Sequence, residues 1–145
     1  MKKSILLLIA ALLSFSTLSF GASLQSLSKQ QVLNTLQDKT MTTIHLITMN
    51  KQLVDNALTI YFDKQGQVSG QLVNKPDNNP QTDQGTWLVK SNGTLCVTWQ
   101  SWNQNKPICV YVYKLNNSIA FINLDTNNFE SLVLNDEIKT GNQLH

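Results

Sequence analysis

Arginine is absent from this 145-residue chain, and all 11 of its basic residues are lysine. Nucleic-acid binding relies on clustered cations to neutralise phosphates, and on Arg above all to read base edges. Beyond residue 22 the count falls to nine Lys (11 − 2 = 9, without Lys2 and Lys3) against nine Asp plus Glu, so that part is neutral. A neutral, Arg-free chain is poorly equipped for nucleic acid and has no electrostatic pull toward an anionic membrane surface. No apolar run reaches the roughly 20 residues needed to span a bilayer. Phosphate loops, Gly-x-Ser-x-Gly elbows and metal motifs are likewise missing. The two His and two Cys lack ligand spacing, so neither a metal nor another cofactor is expected.

Catalytic groups are equally sparse. Acid–base chemistry needs a positioned His or paired carboxylates. His45 lies in a β-branched segment and reads as an ordinary strand residue; His145 is the last residue. Asp63, Asp77, Asp83, Asp125, Asp136 and Glu137 read as turn residues, for which Asp is well suited. No catalytic residue is assigned.

The N-terminal segment carries the clearest signal. Met1-Lys2-Lys3-Ser4 is positive, Ile5 to Leu13 is a short apolar run, and Ser19-Phe20-Gly21-Ala22 supplies small residues. This tripartite order reads as a secretory signal peptide over 1–22. The alternative is an uncleaved anchor, against which Ser14, Ser16, Thr17 and Ser19 interrupt the run. No Cys follows it, so lipid attachment there is excluded. The expected product is a single domain over 23–145, 123 residues long (145 − 22 = 123), periplasmic or secreted.

After residue 22 the pattern predicts one short helix and then strands. Ser28-Lys29-Gln30-Gln31 fits a capping box, and Val32, Leu33 and Leu36 follow at helical spacing. Strands are predicted at Thr42 to Thr48, Leu58 to Phe62, Gln67 to Val73, Thr86 to Lys90, Thr94 to Thr98, Ile108 to Leu115, Ser118 to Leu124 and Phe129 to Leu134. Asn74 to Gln84 reads as the long loop. Short sequential connections imply an antiparallel meander of about eight strands. Closing it into a small barrel removes the exposed edges; a β-sandwich is the alternative, which periodicity does not separate.

Cys96 and Cys109 form an even pair in a chain bound for export, which points to a disulfide; two free buried thiols are the alternative. One strand register pairs Leu95 with Val110 and Val97 with Ile108, and sets the two Cys opposite each other. The rival, built on a tight turn at Asn103 to Lys106, sets Cys96 against Tyr113 and forbids the bridge.

Gly66, Gly85-Thr86-Trp87, Cys96, Cys109 with its alternating aromatics and Gly141-Asn142 occur in an order that resembles the domain of unknown function 995 family. The resemblance covers roughly Leu27 to Asn142. It implies a small, disulfide-linked, lipocalin-like β domain exported from Gram-negative cells, and no activity. Gly85-Thr86-Trp87 also matches the Gly-x-Trp of lipocalins, which lies on their first strand; here about four segments precede it.

Aromatics remain. Trp99 and Trp102 fall in a predicted connection running to Lys106, and Tyr111 and Tyr113 lie on the following strand. These four are the candidate binding residues, with packing as the alternative. The aromatic loop is expected to matter for binding and little for folding. The leading expectation is a non-enzymatic exported protein that binds a small apolar molecule or an extracellular protein or glycan. A secreted enzyme or enzyme inhibitor, and a structural envelope component, are the alternatives.

The exported form is expected to begin within about two residues of Ser23. N-terminal sequencing checks this, and intact Met1 in the exported fraction would refute it.

Overall fold

The computed structural model describes residues 24–43, 46–49, 52–55, 58–72, 81–127 and 129–144. The proposed signal segment 1–22, Ser23, His45, Asp77 and His145 lie outside these residues. Within them the chain forms α1 (Lys29–Leu36), β1 (Lys39–Thr43), β2 (Leu46–Met49), β3 (Gln52–Asp55), β4 (Leu58–Phe62), β5 (Gln67–Leu72), β6 (Gln81–Val89), β7 (Leu95–Trp99), β8 (Ile108–Lys114), β9 (Ser118–Asn123), β10 (Phe129–Leu134) and β11 (Ile138–Thr140).

Alternation is what makes these segments strands, because side chains one apart face opposite sides of a sheet. In β6, Asp83, Gly85, Trp87 and Val89 are buried while Gln84, Thr86 and Leu88 are exposed. All neighbouring strands of the main sheet pair antiparallel. The sheet has nine strands in the order β10-β9-β8-β7-β6-β5-β4-β1-β11, and curls into a nearly closed barrel; β2 and β3 form a separate hairpin between β1 and β4. The meander is therefore longer than the eight strands predicted. β11 escaped prediction because it is only three residues long. The segment read as Thr42 to Thr48 divides between β1 and β2.

β11 completes the barrel. The chain leaves β10, makes one helical turn at Asn135–Glu137, and pairs with β1 through Lys39↔Thr140, Thr40↔Lys139 and Met41↔Ile138. One bent segment thus serves both edges, β9 through β10 and β1 through β11. Side chains lock the joint. The Thr40 hydroxyl donates to the Gly141 carbonyl (2.7 Å) and accepts from the Gln143 N–H (3.0 Å), and Lys39 Nζ donates to Thr140 Oγ1 (2.7 Å).

Helix α1 covers the end where β6 finishes and β7 begins. The Gln31 side-chain oxygen accepts from the Ser28 backbone N–H (2.9 Å), as the capping pattern requires. The helix has only eight residues, too short to persist alone. Val32 and Leu36 are fully buried, and burial of each contributes about 1.5–3 kcal/mol. Beneath them Phe62 and Trp87 meet edge to face, ring centroids 5.3 Å apart, and Trp87 Nε1 donates to the Asp63 carbonyl (3.2 Å). This end of the barrel is filled.

Cys96 pairs with Cys109 between Leu95↔Val110 and Val97↔Ile108, and the two sulfurs are bonded, with Cα atoms 4.1 Å apart. The register required by the bridge is the one the barrel adopts. Leu95 and Val110 face the interior, and the disulfide sits on the outer face of β7 and β8.

The bridge closes a loop with a sequence separation of 13, so replacing both Cys by Ser is expected to cost about 3 kcal/mol of stability by the chain-entropy argument. Thiol titration of the denatured, unreduced protein should find no reactive thiol; two per chain would overturn the bridge.

Candidate functional site

The interior divides into two halves at the end opposite α1. One half is filled by the segment after β7. Trp99, predicted to lie in a connection, is the last residue of β7; it is buried and belongs to the core. Its antiparallel partner is Gly85, and β5 lies on the far side of that glycine's strand. Gly85 lets the two strands approach closely, since a Cβ there would come within 2.1 Å of the Thr98 carbonyl oxygen, and the Trp99 indole lies against Gly70 on β5. A Cβ at Gly70 would come within 2.7 Å of the rings of both Trp99 and Trp102. Gly70 is therefore the space the two indoles occupy. Their centroids are 4.8 Å apart with planes tilted by 55°.

Trp102 is half-buried against the core. A local turn makes the fold-back possible: Asn103, Gln104 and Asn105 all take left-handed backbone angles, with φ of 52°, 55° and 57°. Asn tolerates that region better than most residues.

Asp83 holds the folded-back segment. The sequence reading placed it in a loop, but β6 starts at Gln81, and Asp83 is an inward-facing residue of that strand with 7% of its surface exposed. Its Oδ2 accepts from the N–H groups of Ser101 (2.9 Å) and Trp102 (2.7 Å), and its Oδ1 from its neighbour Gln84 (2.9 Å). A buried carboxylate persists only when satisfied in this way. Burial pushes the Asp83 pKa up, but the backbone donors of Trp102, Ser101 and Gln84 outweigh it and hold the carboxyl below its usual value. Polar surroundings in sequence, Thr82 and Gln84, concealed this role.

The other half of the interior is a cavity of about 90 Å³. Ten of its thirteen lining residues are apolar: Met41, Leu58, Ile60, Phe62, Leu95, Val97, Trp99, Ile108, Val110 and Phe121. Met41, Phe62, Leu95 and Val110 are buried, whereas Leu58, Val97 and Ile108 are half-buried. The lining thus runs from a closed floor to a rim that solvent reaches. Thr43, Glu130 and Ser131 supply its polar groups.

Glu130 was not singled out in the sequence, although it is a charged residue inside a strand. The reason it reaches the lining is a β-bulge. Phe129 pairs with Ile122 and Ser131 with Phe121, so Glu130 is the extra residue of β10. A bulge re-aims side chains out of strict alternation; Phe129 is exposed, while Glu130 and Ser131 both line the cavity.

The predicted binding residues do not form one site. Trp99 lines the cavity, and Trp102 packs against it at a tilt without lining the cavity. Tyr111 and Tyr113 alternate with the inward Val110 and Val112, and so lie on the outer face of β8. Among the described residues no group of three or more His, Cys, Asp or Glu is placed to hold a metal ion. No family model, curated protein or solved structure matches this chain.

Asp83→Asn removes the charge that the Ser101 and Trp102 N–H groups address, at an expected cost of about 1–3 kcal/mol. The sign in pH follows from the lowered folded-state pKa. In the native protein Asp83 contributes stability above the ordinary Asp value of about 3.9, and loses it as pH falls through the lower folded-state value. Denaturation followed from neutral to strongly acidic pH should therefore show a flatter stability profile in the variant; an identical slope would remove Asp83 from this role.

Proposed function

We propose that the protein is an exported, non-enzymatic binding protein that holds a small apolar molecule in the open half of its barrel. The observation that carries this reading is the apolar cavity beneath a solvent-reached rim. A well-packed core leaves few voids larger than a water molecule, and a water needs only about 10–15 Å³ of this measure. A space of about 90 Å³ is several times larger. It is also well below the roughly 300–1,000 Å³ of sites for drug-sized ligands. The occupant is therefore a short chain or a small ring, or the apolar end of something longer that continues past the rim.

Export rests on the N-terminal segment, and the Cys96–Cys109 bridge agrees with an oxidising compartment. Among the described residues no helix is long and apolar enough to cross a membrane. The resemblance to the domain of unknown function 995 family adds no activity to this reading. A macromolecular contact through the Trp loop is less favoured, because Trp102 is half-buried against Trp99 and Gly70.

Xenon and benzene are suitable probes, since neither offers a hydrogen bond. Titration of each should produce saturable methyl NMR shifts at Leu58, Val97, Ile108 and Val110. Val97→Phe, which places a ring at the rim, should reduce them at least several-fold. Unshifted methyls in the wild type would end the proposal.

A further inference from the structure

We propose that the outer face of β8, β9 and β10 is the interface of a two-fold dimer, covered by the same face of a second copy of this chain. The proposal is independent of what the cavity binds.

The first observation is where alternation fails. β6 alternates buried and exposed residues, as a strand with one face in water should. β8, β9 and β10 do not. Ile108 to Tyr113, Ile119 to Ile122 and Leu132 to Leu134 are unbroken apolar runs. Runs of this kind belong to strands buried on both faces. The barrel interior accounts for one face, through Val110, Val112, Ile119, Phe121 and Val133. It leaves the other face uncovered.

The second is what that face presents. In one row Tyr111 lies beside Ile122, and Ile122 beside Phe129; in the next, Tyr113 lies beside Ala120, and Ala120 beside Leu132. The surface continues across β7 and β6 through Cys109, Cys96 and Leu88. Leu88 is 56% exposed, Phe129 47% and Leu134 39%. None of the outward positions of β8, β9 and β10 is charged. The β-bulge contributes to this, because it sends Glu130, the one charged residue of β10, to the cavity lining. The opposite side of the barrel is built the other way. Outward positions of β1, β4 and β5 there hold Thr42, Thr59, Ser69 and Gln71, and the outward Tyr61 donates its hydroxyl to Asp38. The exterior is therefore apolar on one side only.

The third is the distribution of charge around the face. Interface centres are depleted in charge and enriched in Tyr and Phe. A different protein is commonly selected by complementary charges, and the centre of this face offers none. A two-fold axis sets a patch against itself and requires none. Charge stands at the two ends of the face instead. Lys106 and Asp125 are exposed at one end, Lys114 and Asp136 at the other. Both signs occur at both ends, so opposite charges meet at each rim whichever way the strands of two copies run. Beyond residue 22 nine Lys balance nine acidic residues, and two copies approach without net repulsion. A lipid surface would instead favour lysines alone around the apolar patch.

Size agrees. With strands about 4.8 Å apart and residues about 3.4 Å apart along them, five strands by five residues give a flat footprint of roughly 400 Å². Corrugation and the charged rims extend it toward the roughly 800 Å² of accessible surface that each partner gives to a standard interface.

The test is sedimentation equilibrium of the exported form, together with isotope-filtered NOEs in a mixture of labelled and unlabelled copies. The wild-type protein should sediment at twice the monomer mass. NOEs between copies should connect the methyls of Ala120, Ile122, Leu132 and Leu134, a result that needs no variant. Phe129→Lys combined with Leu134→Lys changes two exposed positions and should weaken association at least about a hundredfold. Thr82→Lys, outward on the polar side, should leave it unchanged. A monomer at every concentration up to that used for NMR would overturn the proposal, as would a dimer whose NOEs arise from the outer face of β4 and β5. A monomer that floats with phosphatidylcholine vesicles would also overturn it and assign the face to lipid.

Discussion

A nine-stranded antiparallel meander has two free edges, and each presents backbone donors and acceptors that must be paired or protected. Here one bent segment meets the constraint. β10 pairs with β9, the chain turns at Asn135–Glu137, and β11 pairs with β1. Much of the rest depends on this joint. It brings β1 and β10 to the same wall, and Met41 from one and Ser131 from the other line the same cavity. The hydroxyl of Thr40 bridges residues about a hundred positions apart in the chain, Thr40 and Gly141, and so fastens the last strand to the first.

Once the barrel is closed, its two ends are treated differently. α1 seals one with Val32 and Leu36 over Phe62 and Trp87. At the other, a connection turns back and fills only half the opening. That half-filling depends on three residues of different kinds: Gly70 provides room, the Trp pair provides bulk, and Asp83 supplies the acceptor that holds the loop's N–H groups. The cavity is what remains beside Trp99. Its small size follows from this, since a barrel interior with both indoles turned outward would be larger.

The disulfide acts outside this division. Cys96 and Cys109 stand on the outer face, while their neighbours Leu95, Val97, Ile108 and Val110 line the cavity. The bridge therefore holds β7 and β8 in register at the wall of the cavity without occupying it. The same alternation leaves Tyr111 and Tyr113 outside, which is why four aromatics close together in sequence are divided among the cavity wall, the plug and the outer surface.

The sequence by itself determined the local elements. Period-two alternation marks most of the strands, Ser28 and Gln31 mark the helix start, and the expected Cys96–Cys109 bridge selects the register that faces Leu95 with Val110. These features are legible because each depends on residues near one another in the chain or on one hairpin. The tertiary structure alone decided the rest. β11 is three residues with no pattern of its own, and it is a strand because β1 offers it an edge. Asp83 looks like a loop residue until the fold places two backbone N–H groups of another segment against it. Trp102 reads as a loop aromatic until Gly70, far away in sequence, proves to lie beneath it. Glu130 reads as one more polar residue of a strand until a one-residue slip against β9 turns it toward the cavity. Alternation is a property of neighbouring residues, whereas closure, burial of a carboxylate and the contents of a cavity are set by contacts between segments that come together only when the sheet curls.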